Sequence, residues 1–389
     1  MRPKPLLLVA AVLLALATGA GCAAQIDREV PPEDAIFSVS DMKLLDGGRY
    51  LLLLSSNFDR AYDYGRVSVY DLEQRKVVSS LLVGSLGGRM MLVDQETRLY
   101  VSTREENRIH RIALMRDPQG LPWLVYDGDG TLDGASRGTR KEPYAMATAE
   151  DDSILLVSHL RGGEVMAFLR GEGMEGDMEA GIFDTDPGVT DIILDDLHRV
   201  FLTVHRSAGF IGVLRLTARD DLSVSLALSR LPLPLPSVGV DIRDITASLV
   251  EPSVYYLTYR NRDADTGTET PMVLKTELVG TEGGFALEHR WSTALAGELG
   301  ESALVPCGDG GEYLFTASPS GGSVSVIEAT SGTVVGKVSL DDCSPYQLFS
   351  RVDDPKKRLF VGCFSQSRVA VLKADCAADD FMTISETIP

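Results

Sequence analysis

Residues 53–57 read Leu-Leu-Ser-Ser-Asn, and they are the first of seven copies of one pattern. Each copy contains apolar or β-branched residues and then a small or polar residue. The copies occupy Leu53–Asn57, Leu99–Thr103, Leu155–His159, Phe201–His205, Tyr256–Arg260, Leu314–Ser318 and Leu359–Cys363. Consecutive copies end 45 to 58 residues apart, which is the spacing of a repeat protein.

The residues around each copy indicate short strands. A turn rich in Asp, Gly or Pro precedes the copy, as at Asp46–Gly48, and an alternating run such as Ser323–Ile327 follows it. Alternation with a period of two, broken by turn residues, is typical of antiparallel strands. We therefore predict an all-β fold over residues 36–389, a seven-bladed β-propeller with four antiparallel strands per blade. The alternative, a pair of β-sandwiches, explains seven copies in one register poorly.

Two parts of the repeat resemble a known family. Residues Gly47–Leu51 followed by Gly65–Leu72, and the run Gly322–Glu328, are similar to the blades of YVTN-type propellers and YncE-like envelope proteins. Asn57 keeps the asparagine of that pattern. The resemblance implies a seven-bladed propeller and says little about function, since lactonase-like enzymes share the architecture.

Composition limits the classes of partner. The 389 residues include 56 acidic and 37 basic side chains, which gives a net charge of −19. A hydrophobic fraction of 44% is enough for a sizeable core. Because phosphate backbones repel an acidic surface without a basic patch, we expect no nucleic-acid partner.

The N-terminus has the pattern of a targeting segment. Arg2 and Lys4 precede an apolar run, Leu6–Ala17, whose 12 residues are too few to cross a bilayer. The small residues before Cys22 resemble a bacterial lipobox, which implies cleavage after residue 21 and lipidation of Cys22. We therefore predict a signal peptide at 1–21 and a lipidated tether at 22–35. An ordinary secretory signal is the alternative.

These features imply a location in the cell envelope. Ala23 follows the cysteine where an aspartate commonly means retention at the inner membrane, so the resemblance implies the outer membrane. The predicted partner of the N-terminus is therefore a membrane, bound through the lipid on Cys22.

Once Cys22 is assigned to the lipid, four cysteines remain, which fits two disulfides in an oxidising compartment. Four cysteines permit three pairings. From the expected strand positions we favour Cys343–Cys363 and Cys307–Cys376. The chain has no CxxC motif, which argues against thioredoxin-like chemistry and c-type haem.

Two histidines and one aspartate are candidate metal ligands. His159 and His205 end equivalent strands of consecutive blades, and Asp191 lies on the expected inner strand of the fourth blade. Neutral imidazoles there could bind a divalent metal or transfer protons. In the alternative, polar residues at strand ends bond to the backbone of the loops.

A second candidate metal site lies between the second and third blades. Asp127, Asp129 and Asp133 alternate with glycines as in calcium-binding loops, because hard cations prefer carboxylate oxygens. Leu132 takes the position where an EF-hand needs glycine. An acidic, glycine-rich connection without a metal is the alternative.

The sequence favours a non-catalytic binding or scaffold protein without a cofactor. Its binding face would carry five loops: Asn57–Gly65, Ser102–Asn107, His159–Gly163, His205–Gly209 and Arg260–Pro271. The partner would be an envelope protein, a peptide or a saccharide. The alternative is a metal-dependent, lactonase-like hydrolase with its site at the mouth of the channel.

Overall fold

The computed structural model describes residues 29–149, 151–171, 176–206, 208–218, 224–234, 240–263, 266–307, 311–374 and 382–389. The predicted signal peptide, Cys22 and Cys376 lie outside these residues. No helix in the described ranges is long and apolar enough to cross a membrane.

The strands form seven antiparallel sheets, each built from one continuous stretch of chain, which confirms the predicted propeller. Blade one contains β1 (Val39–Leu45), β2 (Tyr50–Ser55), β3 (Gly65–Asp71) and β4 (Lys76–Val83). Blade two contains β5 (Gly87–Val93), β6 (Arg98–Thr103), β7 (Arg108–Arg116), β8 (Pro122–Tyr126) and a short fifth strand, β9 (Ser136–Gly138). Blade three contains β10 (Pro143–Thr148), β11 (Ile154–His159), β12 (Glu164–Leu169) and β13 (Met178–Asp184).

The remaining blades follow the same order. Blade four contains β14 (Val189–Asp195), β15 (Val200–His205), β16 (Phe210–Ala218) and β17 (Val224–Pro232). Blade five contains β18 (Val240–Ala247), β19 (Val254–Arg262), β20 (Glu269–Thr281) and β21 (Gly284–Ala294). Blade six contains β22 (Ser302–Pro306), β23 (Glu312–Ser318), β24 (Ser323–Glu328) and β25 (Val334–Ser339). Blade seven contains β26 (Pro345–Ser350), β27 (Arg358–Cys363), β28 (Arg368–Ala374) and β29 (Met382–Ile388). Short 3₁₀ turns lie at Asp46–Gly48 and Phe364–Gln366.

The first strand of each blade is innermost, and each inner strand contacts the inner strands of both neighbouring blades. The repeated phrase of the sequence is the second strand. Every residue of β2, β11, β15 and β27 is buried, because neighbouring blades cover both faces of these strands. A strand buried on both faces has a continuous apolar run rather than an alternating one.

Most inner strands carry a β-bulge near their first residue. The pairing shifts between Val39 and Asp41 in blade one and between Val189 and Asp191 in blade four. Equivalent shifts occur in blades two, three, five and seven. A bulge redirects side chains and bends the strand. The side chains at these positions are therefore redirected relative to those of a regular strand.

In the part of the chain that the structure describes, blades seven and one meet through side chains, and the four strands of each come from one stretch of chain. Phe360, Val371 and Ile388 of blade seven share a buried cluster with Met42 and Leu51 of blade one. Across the same junction, Arg351 donates to the Leu44 carbonyl at 2.8 Å. The Gln347 amide also donates to the Ser40 carbonyl.

The predicted Cys343–Cys363 disulfide is present and joins the connection before β26 to the end of β27. Cys307 is buried. Its predicted pairing with Cys376 falls outside the described residues and stays a prediction.

Residues 29–38 lie along blade one beside the loop between β2 and β3. The Asp63 amide donates to the Glu29 carbonyl at 3.2 Å, and the Phe37 and Tyr62 rings lie 5.0 Å apart. Part of the predicted tether thus packs on the propeller, on the side of the mouth loops.

Candidate binding site at the mouth of the channel

Loops between the second and third strands surround a cavity of about 310 Å³ at one end of the channel. Four of the five loops predicted to form a binding face contribute to it, through Phe58, Arg104, Leu160 and Arg206, and Phe364 of blade seven completes the wall. The residues nearest the channel include Ser40, Tyr144, Tyr346 and Gln347 of the inner strands.

Register explains why these loop residues meet. The strand-end residues Thr103, His159, His205 and Cys363 pair with the first residue of the inner strand of their blade. The residue that follows each of them lines the cavity: Arg104, Leu160, Arg206 and Phe364. In blade one the equivalent strand end is Ser55, not Asn57, because Ser55 pairs with Val39.

Two of the lining residues are arginines. The Arg104 guanidinium lies 4.8 Å from the Phe58 ring centroid and 5.7 Å from that of Tyr144, and its Nε donates to the Leu86 carbonyl at 3.3 Å. The Arg206 side chain is exposed. Among the described residues, neither guanidinium forms an ion pair with a carboxylate. By contrast, Arg161 on a neighbouring loop pairs with Glu142 at 2.9 Å.

The rest of the wall is largely aromatic. The Phe58 and Phe364 rings meet edge to face with centroids 4.9 Å apart, and Tyr346 lies 6.1 Å from Phe364. Concave sites with apolar walls and a few polar groups are typical of sites for small molecules.

Below the cavity, the channel holds a buried ion pair between Arg89 on β5 and Glu301 before β22, with a distance of 2.5 Å. Arg89 also donates to the Gln347 side-chain oxygen at 3.1 Å and lies 5.6 Å from the Tyr144 ring centroid. Burial raises the pKa of Glu301 well above its usual range despite the attraction of Arg89. For Arg89, burial lowers the pKa, but the surrounding acidic groups, Glu301 first, leave it raised.

Two further channel carboxylates connect neighbouring blades. Asp41 accepts the Met90 amide at 2.6 Å and joins blade one to blade two. Asp244 accepts the Ser302 amide at 2.9 Å and the Ser302 hydroxyl at 2.6 Å, which joins blade five to blade six. Both carboxylates therefore hold neighbouring blades of the propeller together.

Asp191 follows the bulge of β14 and has an unusual environment. Burial raises its pKa to about 7, opposed by Arg89 and Lys43 and reinforced by Asp244, and the Ile192 amide donates to it at 2.8 Å. A carboxyl group that titrates near neutral pH is a candidate acid or base.

Replacing Asp191 with asparagine is expected to stabilise the protein above pH 7. The native carboxyl binds its proton more tightly than an unfolded aspartate does, so its stabilising contribution is lost as the pH rises from about 4 through 7. Asparagine does not ionise, so the variant should gain about 2–4 kcal/mol relative to the original chain between pH 4 and pH 8. Urea unfolding across this range measures the difference. A constant difference between the two proteins would contradict the assigned pKa.

The structure does not assemble the predicted metal site at His159, His205 and Asp191. Both histidines are fully buried beneath the loops. His159 Nδ1 donates to the Glu164 carbonyl at 3.1 Å, and His205 Nδ1 donates to the Asp186 carbonyl at 2.8 Å. Burial lowers the pKa of both, to about 4 for His159. The two histidines do occupy equivalent positions, but each bonds to a backbone carbonyl, at the first residue of β12 for His159 and between β13 and β14 for His205.

The predicted calcium loop is not assembled either. Asp127 pairs with Arg111 at 2.8 Å, and Asp133 pairs with Arg108 at 2.7 Å. Asp129 accepts the Thr131 amide at 2.9 Å. Over the described ranges, no three His, Cys, Asp or Glu side chains are placed to hold one metal ion.

The mouth and channel residues Arg89, Arg104, Tyr144, Arg206 and Glu301 were not identified from the sequence. The signal for Arg104 and Arg206 is positional, since each directly follows a strand-end residue. No sequence signal indicates that, among the described residues, neither arginine pairs with a carboxylate.

Comparisons with known proteins show the fold. No family model matches the chain, and no curated protein matches it. Among solved structures, hydrazine synthase of Kuenenia stuttgartiensis has a TM-score of 0.62 at 12% identity, over 91% of this chain and 99% of that one. The periplasmic gluconolactonase PpgL of Pseudomonas aeruginosa has a TM-score of 0.58 at 15% identity, over 79% and 86%. A protein from Lactobacillus plantarum has a TM-score of 0.57 at 11% identity, over 79% and 87%. At such low identities the likeness concerns the propeller fold alone.

Proposed function

We propose that this protein is a lipid-anchored propeller of the bacterial envelope, most consistent with the outer membrane, that binds a ligand at the mouth of its channel without catalysis. The observation that carries the proposal is the mouth cavity, whose walls come from blades one, two, three, four and seven. Loops on a rigid scaffold are where ligands are commonly bound. The hydrogen bonds of His159 and His205 and the Cys343–Cys363 disulfide hold the strand ends beneath these loops, which supports a preformed site.

Filling the cavity tests this function. The assay measures which envelope component the full mature lipoprotein retains from solubilised envelopes. Leu160→Trp should place a large ring in the mouth cavity and abolish this retention. Leu197→Trp is the matched control, because Leu197 is 66% exposed on a turn at the opposite end of the channel. Equal retention by the original chain and by Leu160→Trp would refute binding at the mouth.

Cys22 carries the proposed membrane attachment. Cys22→Ser should release the protein from membranes, and unchanged membrane partitioning would contradict the lipid anchor.

Because residues 29–38 pack beside the mouth loops, only residues 23–28 separate the lipid from the propeller. At about 3.5 Å per residue, that segment spans no more than about 25 Å, so the mouth loops of blade one would lie near the bilayer.

Hydrolysis of lactones is the competing proposal. It is favoured by Asp191, whose pKa of about 7 suits a general base, and by the fold shared with a gluconolactonase. If the protein hydrolyses gluconolactone and Asp191→Asn removes that activity, the non-catalytic proposal fails.

A further inference from the structure

The mouth cavity carries two positively charged side chains, although basic residues are the minority among the charged residues of the chain. Acidic side chains outnumber basic ones by 56 to 37, so an arginine that lines a cavity without a carboxylate partner is unexpected. Within the described ranges, Arg104 and Arg206 are two such residues, and both line the same cavity. Their charge is available to a ligand.

The contacts of Arg104 hold its side chain in place without neutralising its charge. Its guanidinium lies between the Phe58 and Tyr144 rings, and one backbone carbonyl accepts from its Nε. Stacking on aromatic faces orients a guanidinium and leaves its outer N–H groups free to donate. Such groups bind carboxylates and phosphates in a bidentate geometry.

Three acidic residues of the channel are engaged by other groups. Glu301 is paired with Arg89, and Asp41 and Asp244 accept backbone amides of neighbouring blades. The cavity also offers the neutral polar side chain of Tyr346, next to the aromatic faces. The Gln347 side chain is already bonded to the Ser40 carbonyl and to Arg89. It therefore suits an anion that has both a ring to stack and hydroxyl groups to bond.

We infer that the ligand is an acidic saccharide unit whose carboxylate is bound by Arg104 and Arg206 and whose ring lies against the aromatic wall. The inference rests on the proposed function and specifies its ligand class. The carboxylate provides the charge complement of the two arginines. The cavity volume of about 310 Å³ suits a single sugar residue, free or at the end of a chain.

Calorimetric titration of the full mature lipoprotein in detergent tests the inference, with glucuronate and its neutral amide, glucuronamide, as probes. Glucuronate should bind at least tenfold more tightly than glucuronamide. Arg104→Gln and Arg206→Gln should each weaken glucuronate about tenfold and leave glucuronamide unchanged. Arg75→Gln, on the turn between β3 and β4 at the opposite end of the channel and paired with Glu386 at 3.0 Å, is the matched control and should change neither affinity. Arg104→Lys, which keeps the charge, should recover part of the loss.

The other outcomes separate this inference from the function on which it rests. Equal affinities for the two probes, or arginine substitutions without effect, would overturn the inference of an anionic ligand. The proposed binding site would still stand if Leu160→Trp abolished retention of the envelope component. Absence of glucuronate binding would overturn the proposed sugar carboxylate. So would tighter binding of benzoate, which has a carboxylate but no sugar, or of glucose 6-phosphate, which has a sugar but no carboxylate. Retention that Leu160→Trp leaves unchanged would refute the site itself.

Discussion

Arg89→Met is expected to lower the free energy of unfolding by about 3–5 kcal/mol, because it leaves the Glu301 carboxylate without its partner. The methionine occupies similar space but has no charge and no donor for Gln347. Glu301 must then be buried without compensation or take up a proton. Equilibrium denaturation of the original chain and the variant at pH 7 measures the loss.

A double variant separates the ion pair from packing. Arg89→Met combined with Glu301→Leu removes both charges, so it should recover most of the lost stability. A double variant as unstable as Arg89→Met would mean that the arginine stabilises the channel through its shape and its contact with Tyr144. An Arg89→Met protein as stable as the original would contradict the buried pair.

Replacing the Cys343–Cys363 disulfide is the second large effect. The bond joins residues 20 positions apart, and a loop of that length constrains the unfolded chain by about 3 kcal/mol. Cys343→Ser combined with Cys363→Ala should therefore unfold at a lower denaturant concentration. Both cysteines are replaced so that neither leaves a free thiol to exchange with the others.

The disulfide also lies next to a residue of the mouth cavity. Phe364 follows Cys363 directly and lies on the cavity wall with Tyr346. Loosening this end of blade seven should weaken ligand binding as well as stability. A double variant that unfolds at the original denaturant concentration would contradict a stabilising role for the bond.

The sequence predicts the blades well because the second strand of each blade is covered on both faces. That environment demands a continuous apolar run such as Tyr50–Ser55, and seven such runs in one register leave few other architectures. The ring closure is different. It depends on contacts such as Arg351 with Leu44, between residues at opposite ends of the chain, and no local pattern encodes them.

The site was predicted only in part for a similar reason. The loop positions follow from the repeat, and His159 and His205 do share a register position. Whether a polar residue there faces a ligand or holds backbone depends on its burial, which a loop sequence does not reveal. In the structure the histidines bond to carbonyls, and the next residues, Leu160 and Arg206, line the cavity.

The central claim is that the ligand binds at the mouth of the channel. Hydrogen–deuterium exchange of the mature lipoprotein, with and without the component retained from envelopes, maps the bound face directly. We expect protection in the mouth loops at residues 57–65, 103–108, 159–164, 205–209 and 363–368. Protection confined to the opposite end of the channel, at the turns 94–97, 195–199 and 351–357, would contradict the account.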